Sequence, residues 1–274
     1  MVRVAAQKTA QSLLPDLRAG TAALGSMEEL VHVKVLSIAN APNPVLYGSI
    51  SSGEARPTGP SRNAINARLA SILWNHLRAM RPALTEELVE PVFEPRRHDL
   101  QIVNGDQGEP LLLVGGRRGP SISFSHLAGK TWGALSAGKA SIGIDAACAD
   151  EFRPPYPLLR AFAIEEFAAC LAITPASDEE AAALLWSVKE AAAKAIGCGF
   201  RFVDPLNLVA SVPRDADAET TFEVNLVGRP LKRLPWMAAR TVSVQSLNID
   251  GIWISVAMTD FIRPYPSTVS RLTA

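Results

Sequence analysis

Residues 184–199 read LLWSVKEAAAKAIGCG and predict the longer helix of the C-terminal half of the chain. Its apolar residues recur at intervals of four, three and four, the spacing of one buried helical face: Leu184, Val188, Ala191 and Ala195. Upstream, Ser177 with Glu180 three positions later predicts a capping box at the N-terminus of this helix. Gly197 predicts its C-terminus.

Trp186, Glu190 and Lys194 fall on the opposite side of the predicted helix. A glutamate four residues before a lysine is also the commonest stabilising pair on a solvated helix, worth about 0.2–0.5 kcal/mol. The pair alone therefore does not distinguish a functional face from a solvated one. A bulky tryptophan beside it favours a face that is covered.

The rest of the C-terminal half predicts a short helix near AIEEFAACLA and a series of strands. The strand-like segments are LNLVASV, TFEVNLV, RTVSVQSLNI and IWISVAMTD. Asp250 and Gly251 predict a tight turn between the last two.

The N-terminal half predicts a strand at LVHVKVLSIA, a loop rich in Gly, Pro and Ser at YGSISSGEARPTGP, and a helix at SRNAINARLASILWNHLRAM. The helical stripe is Ile65, Leu69, Ile72, Leu73 and Leu77. Arg62, Arg68 and Arg78 lie off this stripe. Three short strands follow at SISFSH, TWGAL and ASIGID, and their short connectors predict an antiparallel meander.

Both halves thus offer helices with several antiparallel strands, which predicts an α+β fold of two subdomains that meet near residue 140. The predicted division is an N-terminal extension (1–28), an N-terminal subdomain (29–139), a C-terminal subdomain (140–264) and a tail (265–274).

Composition narrows the classes of function. The 274 residues are 48% hydrophobic, and 27 Lys and Arg balance 27 Asp and Glu, so there is no overall basic field for nucleic acid. Cys148, Cys170 and Cys198 are too widely spaced for a CxxC metal site and predict reduced thiols. No apolar run approaches the ~20 residues that span a bilayer, and the N-terminus lacks a signal-peptide core, so we expect a cytoplasmic protein.

Three polar residues follow or end predicted strands. Ser125 and His126 close SISFSH, and Asp145 closes ASIGID. Each has an ordinary alternative, because an acid at a strand end is often a turn former and a lone histidine is often buried or solvated.

Taken together, the order Gly-x-Pro, Ser-x-Ser-His, Gly-Ile-Asp and Trp-Ser-x-Lys-Glu-Ala-x-x-Lys-x-x-Gly resembles the larger, Sfp-type branch of the 4'-phosphopantetheinyl transferases. The resemblance runs from about Gly108 to Phe200. It implies two pseudo-symmetric subdomains with the site between them. It also implies transfer of the phosphopantetheine arm of coenzyme A to a serine of an acyl, peptidyl or aryl carrier protein, with release of 3',5'-ADP. A monomer suffices for this architecture.

By matching positions, the resemblance implies that Asp145 and Glu190 hold Mg²⁺, that Glu190 helps to deprotonate the carrier serine, and that Lys194 stabilises the charge on the phosphates. His126 is the third residue assigned to catalysis. The implied coenzyme A contacts are Arg62, Arg68, Ser125, His126 and Lys194. For the two arginines, surface solubility is an alternative explanation.

Two positions depart from the family pattern. Ala147 stands where many bacterial members carry a third acid, and Glu109 stands where the family usually has Lys or Arg. We expect Glu109 to weaken coenzyme A binding unless Arg117, Arg118 or Lys130 compensates. These departures leave open a homologue that binds coenzyme A or carrier protein without efficient transfer. A metal-dependent phosphoesterase built on Asp145 and Glu190 is a further alternative.

Overall fold

The computed structural model describes residues 32–36, 45–52, 57–80, 100–138, 140–174, 177–213 and 220–259. The predicted N-terminal extension and C-terminal tail lie outside these residues. The strands are β1 (His32–Leu36), β2 (Val45–Ser51), β3 (Leu100–Asn104), β4 (Pro110–Val114), β5 (Arg117–Arg118), β6 (Ile122–Leu127), β7 (Lys130–Ser136), β8 (Ile142–Cys148), β9 (Leu208–Ser211), β10 (Thr220–Leu226), β11 (Thr241–Ile249) and β12 (Ile252–Met258).

Within the described residues the α-helices are α1 (Gly59–Met80), α2 (Ile164–Ile173) and α3 (Asp178–Ile196). Short 3₁₀ helices lie at Ala149–Phe152, Leu158–Arg160, Pro205–Asn207, Arg229–Lys232 and Pro235–Met237. None of the helices in the described part of the chain has the length and apolar character needed to cross a membrane.

The N-terminal sheet is antiparallel and has the strand order β1-β2-β7-β6. Helix α1 packs on it through a buried face that is shifted slightly from the predicted stripe: Asn66, Leu69, Ala70, Leu73, Trp74 and Leu77. A second, three-stranded sheet, β3-β4-β5, adds Leu112 and Val114 to the same core.

The predicted loop at YGSISSGEARPTGP is wrong in its first part, because residues 47–51 belong to β2. This strand pairs with β1 on one side and β7 on the other, and all its residues except Ser51 are buried. Gly48 lies opposite Gly133 of β7. The glycine and the serines of β2 therefore belong to a central strand and not to a turn.

The C-terminal sheet is also antiparallel, with the strand order β8-β12-β11-β10-β9. Helix α3 lies across it and closest to β8. Gly143 permits this approach, because a Cβ at that position would collide with the carbonyl oxygen of Ala191 in the helix backbone. The structure shows the Ser177 half of the predicted capping box of α3, in which Ser177 Oγ accepts from Glu180 N–H at 3.2 Å. The predicted C-terminal cap is present, since Gly197 is left-handed with φ +87°.

The predicted three-strand meander is wrong at its third strand. β6 and β7 pair, but β8 pairs with β12 of the other sheet. β6 and β8 nevertheless lie side by side, joined by serine side chains in place of a backbone ladder. The N–H groups of Ile142, Ile144 and Ala146 donate to the hydroxyls of Ser121, Ser123 and Ser125 at 3.1, 3.1 and 3.2 Å. We call this contact the serine seam.

The seam joins two units, each an antiparallel sheet packed with helices, which confirms the predicted α+β fold of two subdomains. The change of sheet falls between β7 and β8, near the predicted boundary at residue 140. The remaining domain limits stay predictions.

Candidate functional site

A cavity of about 940 Å³ opens along the serine seam. Its walls come from β6, β8, α3, the N-terminal turns of α1 and the turn between β3 and β4. Residues from both subdomains therefore line it. The predicted site residues Arg62, Ser125, His126, Asp145, Glu190 and Lys194 are all in this lining.

Lys194 lies at the centre of the polar wall. Its ammonium contacts Asp145 Oδ1 at 2.7 Å and Glu190 Oε1 at 3.4 Å. It also donates to the backbone carbonyl oxygens of Ile144 at 3.1 Å and Phe124 at 3.4 Å, one from each strand of the seam. The helical-turn spacing of Glu190 and Lys194 thus points both side chains at Asp145, so the pair is not a simple solvated one.

Asp145 is buried at the centre of β8, and the Ser125 hydroxyl donates to its Oδ1 at 2.9 Å. Burial raises the pKa of Asp145 to about 7, with Lys194 opposing and Glu190 adding to this effect. For Lys194, burial alone would lower the pKa, but the charges and hydrogen bonds of Asp145 and Glu190 raise it above its ordinary value. The cavity wall therefore holds a persistent ammonium beside two carboxyl groups.

His126 is placed by α1. Its Nε2 lies 3.0 Å from Asn66 Oδ1, a buried position on the helix. Burial lowers the pKa of His126 to about 4, with smaller contributions from Arg62 and Lys194. Arg62 lies one turn before Asn66, and its Nε donates to the Pro57 carbonyl oxygen at 3.0 Å.

Arg68 is the exception among the predicted contacts. It is exposed on α1 and is not among the residues that line the cavity. Six residues separate it from Arg62, which corresponds to about 240° of rotation around the helix. The prediction that both arginines contact one ligand is therefore not supported by their positions.

Trp186 is covered, as its place on the polar side of α3 predicted. Its ring lies 4.8 Å from Phe200, 5.9 Å from Phe152 and 6.3 Å from Tyr156 by centroid distance. Trp186 is the member of this group that lines the cavity, and Glu190 lies near Tyr156.

The carboxylates fit a magnesium site that a ligand completes. Within the described residues, no three His, Cys, Asp or Glu side chains are arranged to hold a metal ion. Mg²⁺ in phosphoryl-transfer sites is commonly held by one or two carboxylates, with substrate phosphates and water as the other ligands. Asp145 and Glu190, both in contact with one ammonium, meet that requirement. Ala147 is fully buried in the core beneath α3 and does not line the cavity.

Sequence reasoning missed two residues of the helices that build the site. Asn66 lies on the buried face of α1, where the sequence pattern predicts only apolar contacts. Lys189 reads as part of a charged run, yet its ammonium is buried and contacts Glu166 Oε2 at 2.7 Å. It also donates to the carbonyl oxygens of Ala161 at 3.2 Å and Pro205 at 3.1 Å. The only local signal was its place beside Glu190.

Comparisons with known proteins show which family the chain is similar to. Residues 141–240, from β8 to the loop before β11, match the model of the 4'-phosphopantetheinyl transferase superfamily. Over 101 residues the chain is 37% identical to the holo-[acyl-carrier-protein] synthases of Chloroflexus aurantiacus strains J-10-fl and Y-400-fl. The match covers 37% of this chain and 72% of each relative. The chain therefore belongs to the 4'-phosphopantetheinyl transferase superfamily.

Proposed function

We propose that this protein transfers the 4'-phosphopantetheine arm of coenzyme A to a serine of an apo acyl, peptidyl or aryl carrier protein, with Mg²⁺ as cofactor. The observation that carries the proposal is the convergence of Asp145, Glu190 and Lys194 on one wall of the cavity. Family membership supplies the reaction class. A cytoplasmic location and a monomeric state belong to the same proposal.

In this reaction the carrier serine oxygen forms a bond to the phosphorus next to the pantetheine arm. The bond from that phosphorus to the bridging oxygen breaks, and 3',5'-ADP leaves. Mg²⁺ would neutralise charge on the pyrophosphate when held by Asp145 and Glu190. Glu190 accepts the serine proton, directly or through water, because its carboxylate is half-buried at the cavity wall.

Lys194 has a positioning and an electrostatic part in the proposal. Its ammonium is fixed by two carboxylates and two backbone carbonyl oxygens, so its charge is in place before a substrate arrives. Preorganised charge of this kind stabilises the phosphoryl oxygens in the transition state without a reorganisation cost. Ser125 and His126 would donate hydrogen bonds to phosphate oxygens from the opposite strand by exchanging their present partners, Asp145 for Ser125 and Asn66 for His126.

We place the chain in the larger, Sfp-type branch. The 101 matched residues are 37% of this chain but 72% of the relative, so the relative is about half as long. The family match begins at residue 141, and the residues before it form a sheet of their own that packs with α1. A single chain that brings two subdomains to one cavity is the architecture which that branch implies.

The test measures the intact mass of a panel of apo carrier proteins after incubation with this protein, coenzyme A and Mg²⁺. We expect a phosphopantetheine-sized gain that is lost in Glu190→Ala and without metal. Glu165→Ala, which changes an exposed glutamate outside the cavity, is the matched control and should keep the activity.

Ala147 is the observation that favours the alternative, a homologue that binds coenzyme A or a carrier protein without efficient transfer. Binding of coenzyme A with no mass gain on any carrier would support that alternative. Hydrolysis of phosphodiesters in the absence of carrier protein would instead identify a phosphoesterase.

A further inference from the structure

Only three Lys or Arg side chains are among the described residues that line the cavity: Arg62, Lys194 and Arg201. The Lys194 ammonium already contacts the carboxylates of Asp145 and Glu190. Arg117, Arg118 and Lys130, the cations that the sequence offered as compensation for Glu109, do not line the cavity. Arg201 was not considered from the sequence at all.

Arg201 reaches the cavity through a reversal of the chain after α3. Gly197 and Gly199 both have positive φ, at +87° and +55°, and the chain turns back along the cavity behind them. The Arg201 guanidinium approaches the turn between β3 and β4, where a Cβ on Gly108 would lie 3.6 Å from Nη1. An arginine of the C-terminal subdomain thus borders the same end of the cavity as a turn of the N-terminal one.

Glu109 also lines the cavity, but its carboxylate is directed toward its own turn. Its carboxylate folds back over Gly105, whose ideal Cβ would lie 2.7 Å from both carboxylate oxygens. Oε2 accepts the N–H of Gln107 at 3.0 Å. Glu109 therefore stabilises its own turn, and the cation that the family usually carries at this position is missing from the chain.

We propose that Arg201 binds the ribose 3'-phosphate of coenzyme A and replaces the cation missing at position 109. This inference rests on the proposed function. Coenzyme A carries its 3'-phosphate apart from its pyrophosphate. The Arg201 guanidinium lies beside the turn between β3 and β4, whereas the Lys194 ammonium, with Asp145, lies at the serine seam. A guanidinium suits a phosphomonoester because it can donate two parallel hydrogen bonds to it.

No hydrogen bond or ion pair within the described residues holds the Arg201 guanidinium, and the side chain is exposed at the cavity. Binding a phosphate there does not require an existing contact to be broken. Arg201 also takes the place that Arg68 was predicted to have, since Arg68 lies outside the cavity lining.

The test compares coenzyme A with 3'-dephospho-coenzyme A by isothermal titration calorimetry, in the presence of Mg²⁺. We expect Arg201→Gln to weaken coenzyme A binding about tenfold, the size of one lost charge-assisted contact, and to change 3'-dephospho-coenzyme A binding less than about twofold. Arg118→Gln, an exposed arginine of β5 outside the cavity, is the control and should match the unchanged protein.

An unchanged affinity for coenzyme A in Arg201→Gln, or an equal loss for both ligands, would overturn the assignment. Ligand binding by the unchanged protein distinguishes a wrong assignment of Arg201 from a wrong proposed function. If it binds neither ligand, the proposed function fails. If it binds coenzyme A more tightly than the dephospho form and Arg201→Gln does the same, only the assignment of Arg201 fails.

Discussion

At the scale of single residues, Lys194 serves the site and the fold with one ammonium group. It contacts both carboxylates and also the carbonyl oxygens of Phe124 and Ile144, which belong to the two subdomains. The residue that the resemblance assigns to phosphate binding therefore also ties the subdomains together. Loss of its side chain would affect stability as well as chemistry.

His126 makes the stability of the protein depend on pH. Burial lowers its pKa to about 4, whereas an unfolded histidine titrates near 6.5. Between these values the unfolded chain binds more protons than the folded one, so stability falls as pH drops from about 6.5 to about 4. We expect the free energy of unfolding of His126→Gln to fall less steeply over this pH range, as measured by urea unfolding at a series of pH values.

The exposed His76 of α1, outside the cavity, provides the control, because His76→Gln leaves His126 in place and should keep the steep loss of stability between about pH 6.5 and about pH 4. Parallel stability profiles for the unchanged protein and His126→Gln would contradict the prediction.

The surroundings of Ala147 make a third acid at this position unfavourable. The residue is fully buried against Phe152 and α3, so a carboxylate there would be desolvated. We expect Ala147→Glu to lower the melting temperature by at least about 5 °C, because a buried unpaired charge costs several kcal/mol. Ala147→Gln, of nearly equal volume, isolates the contribution of charge and should be less destabilised. Unchanged stability together with tighter Mg²⁺ binding would instead place position 147 in the metal site.

At the scale of elements, the contact between α3 and β8 requires Gly143. A Cβ at this position would meet Ala191 O and would lie 2.7 Å from Ala195 N, and both atoms belong to helix backbone that cannot move aside alone. We expect Gly143→Ala to lower the free energy of unfolding by about 3 kcal/mol or more in denaturant titration.

Gly133→Ala is the matched comparison. Its new Cβ would meet the end of the Leu69 side chain, which can rotate, so we expect a clearly smaller cost. Equal decreases in the free energy of unfolding for the two variants would contradict the prediction, because they would mean that the α3 backbone moves aside as easily as the Leu69 side chain.

The buried Lys189–Glu166 pair joins α3 to α2 and to the segments near Ala161 and Pro205. Glu166 Oε1 also accepts the Ala210 N–H at 2.8 Å, which adds β9. We expect Lys189→Met to cost about 3–5 kcal/mol, because it leaves a buried carboxylate without its counter-ion. Adding Glu166→Gln should recover part of this loss, since the amide oxygen can still accept from Ala210.

Denaturant unfolding of the two single variants and the double variant forms the cycle, and additive losses would contradict the prediction. The exposed pair of Arg153 and Asp150, also 2.7 Å apart, gives the control. Asp150→Asn should change stability by less than about 1 kcal/mol, as is usual for solvated ion pairs.

At the scale of the whole molecule, local signals predicted α3 and its caps, the turn at Asp250, and most strands of the C-terminal half. Pairings between distant segments were not predictable in the same way. The strand β8 pairs with β12, more than 100 residues later in the chain, where the sequence favoured its neighbour β7. The glycine and serines of β2 predict a loop for part of this strand, because such residues are typical of turns, although the strand lies between two partners.

The candidate site follows the same division. The resemblance predicted Asp145, Glu190, Lys194, Ser125 and His126, which the fold brings to one cavity. Arg68 does not line the cavity, because helical phase, and not proximity in sequence, decides which arginines of α1 face it. Arg201 was missed because its approach to Gly108 joins residues from different subdomains.

The serine seam has a consequence for self-association. A sheet edge with open N–H groups is a template for a strand of another molecule, and proteins that expose such edges aggregate. Here the N–H groups of β8 that point away from β12 are capped by hydroxyls of β6. Neither strand offers its inner edge to an incoming chain. The junction between the two subdomains therefore also disfavours edge-to-edge polymerisation. Each of the three serine hydroxyls occupies one backbone N–H group that an incoming strand would otherwise bind.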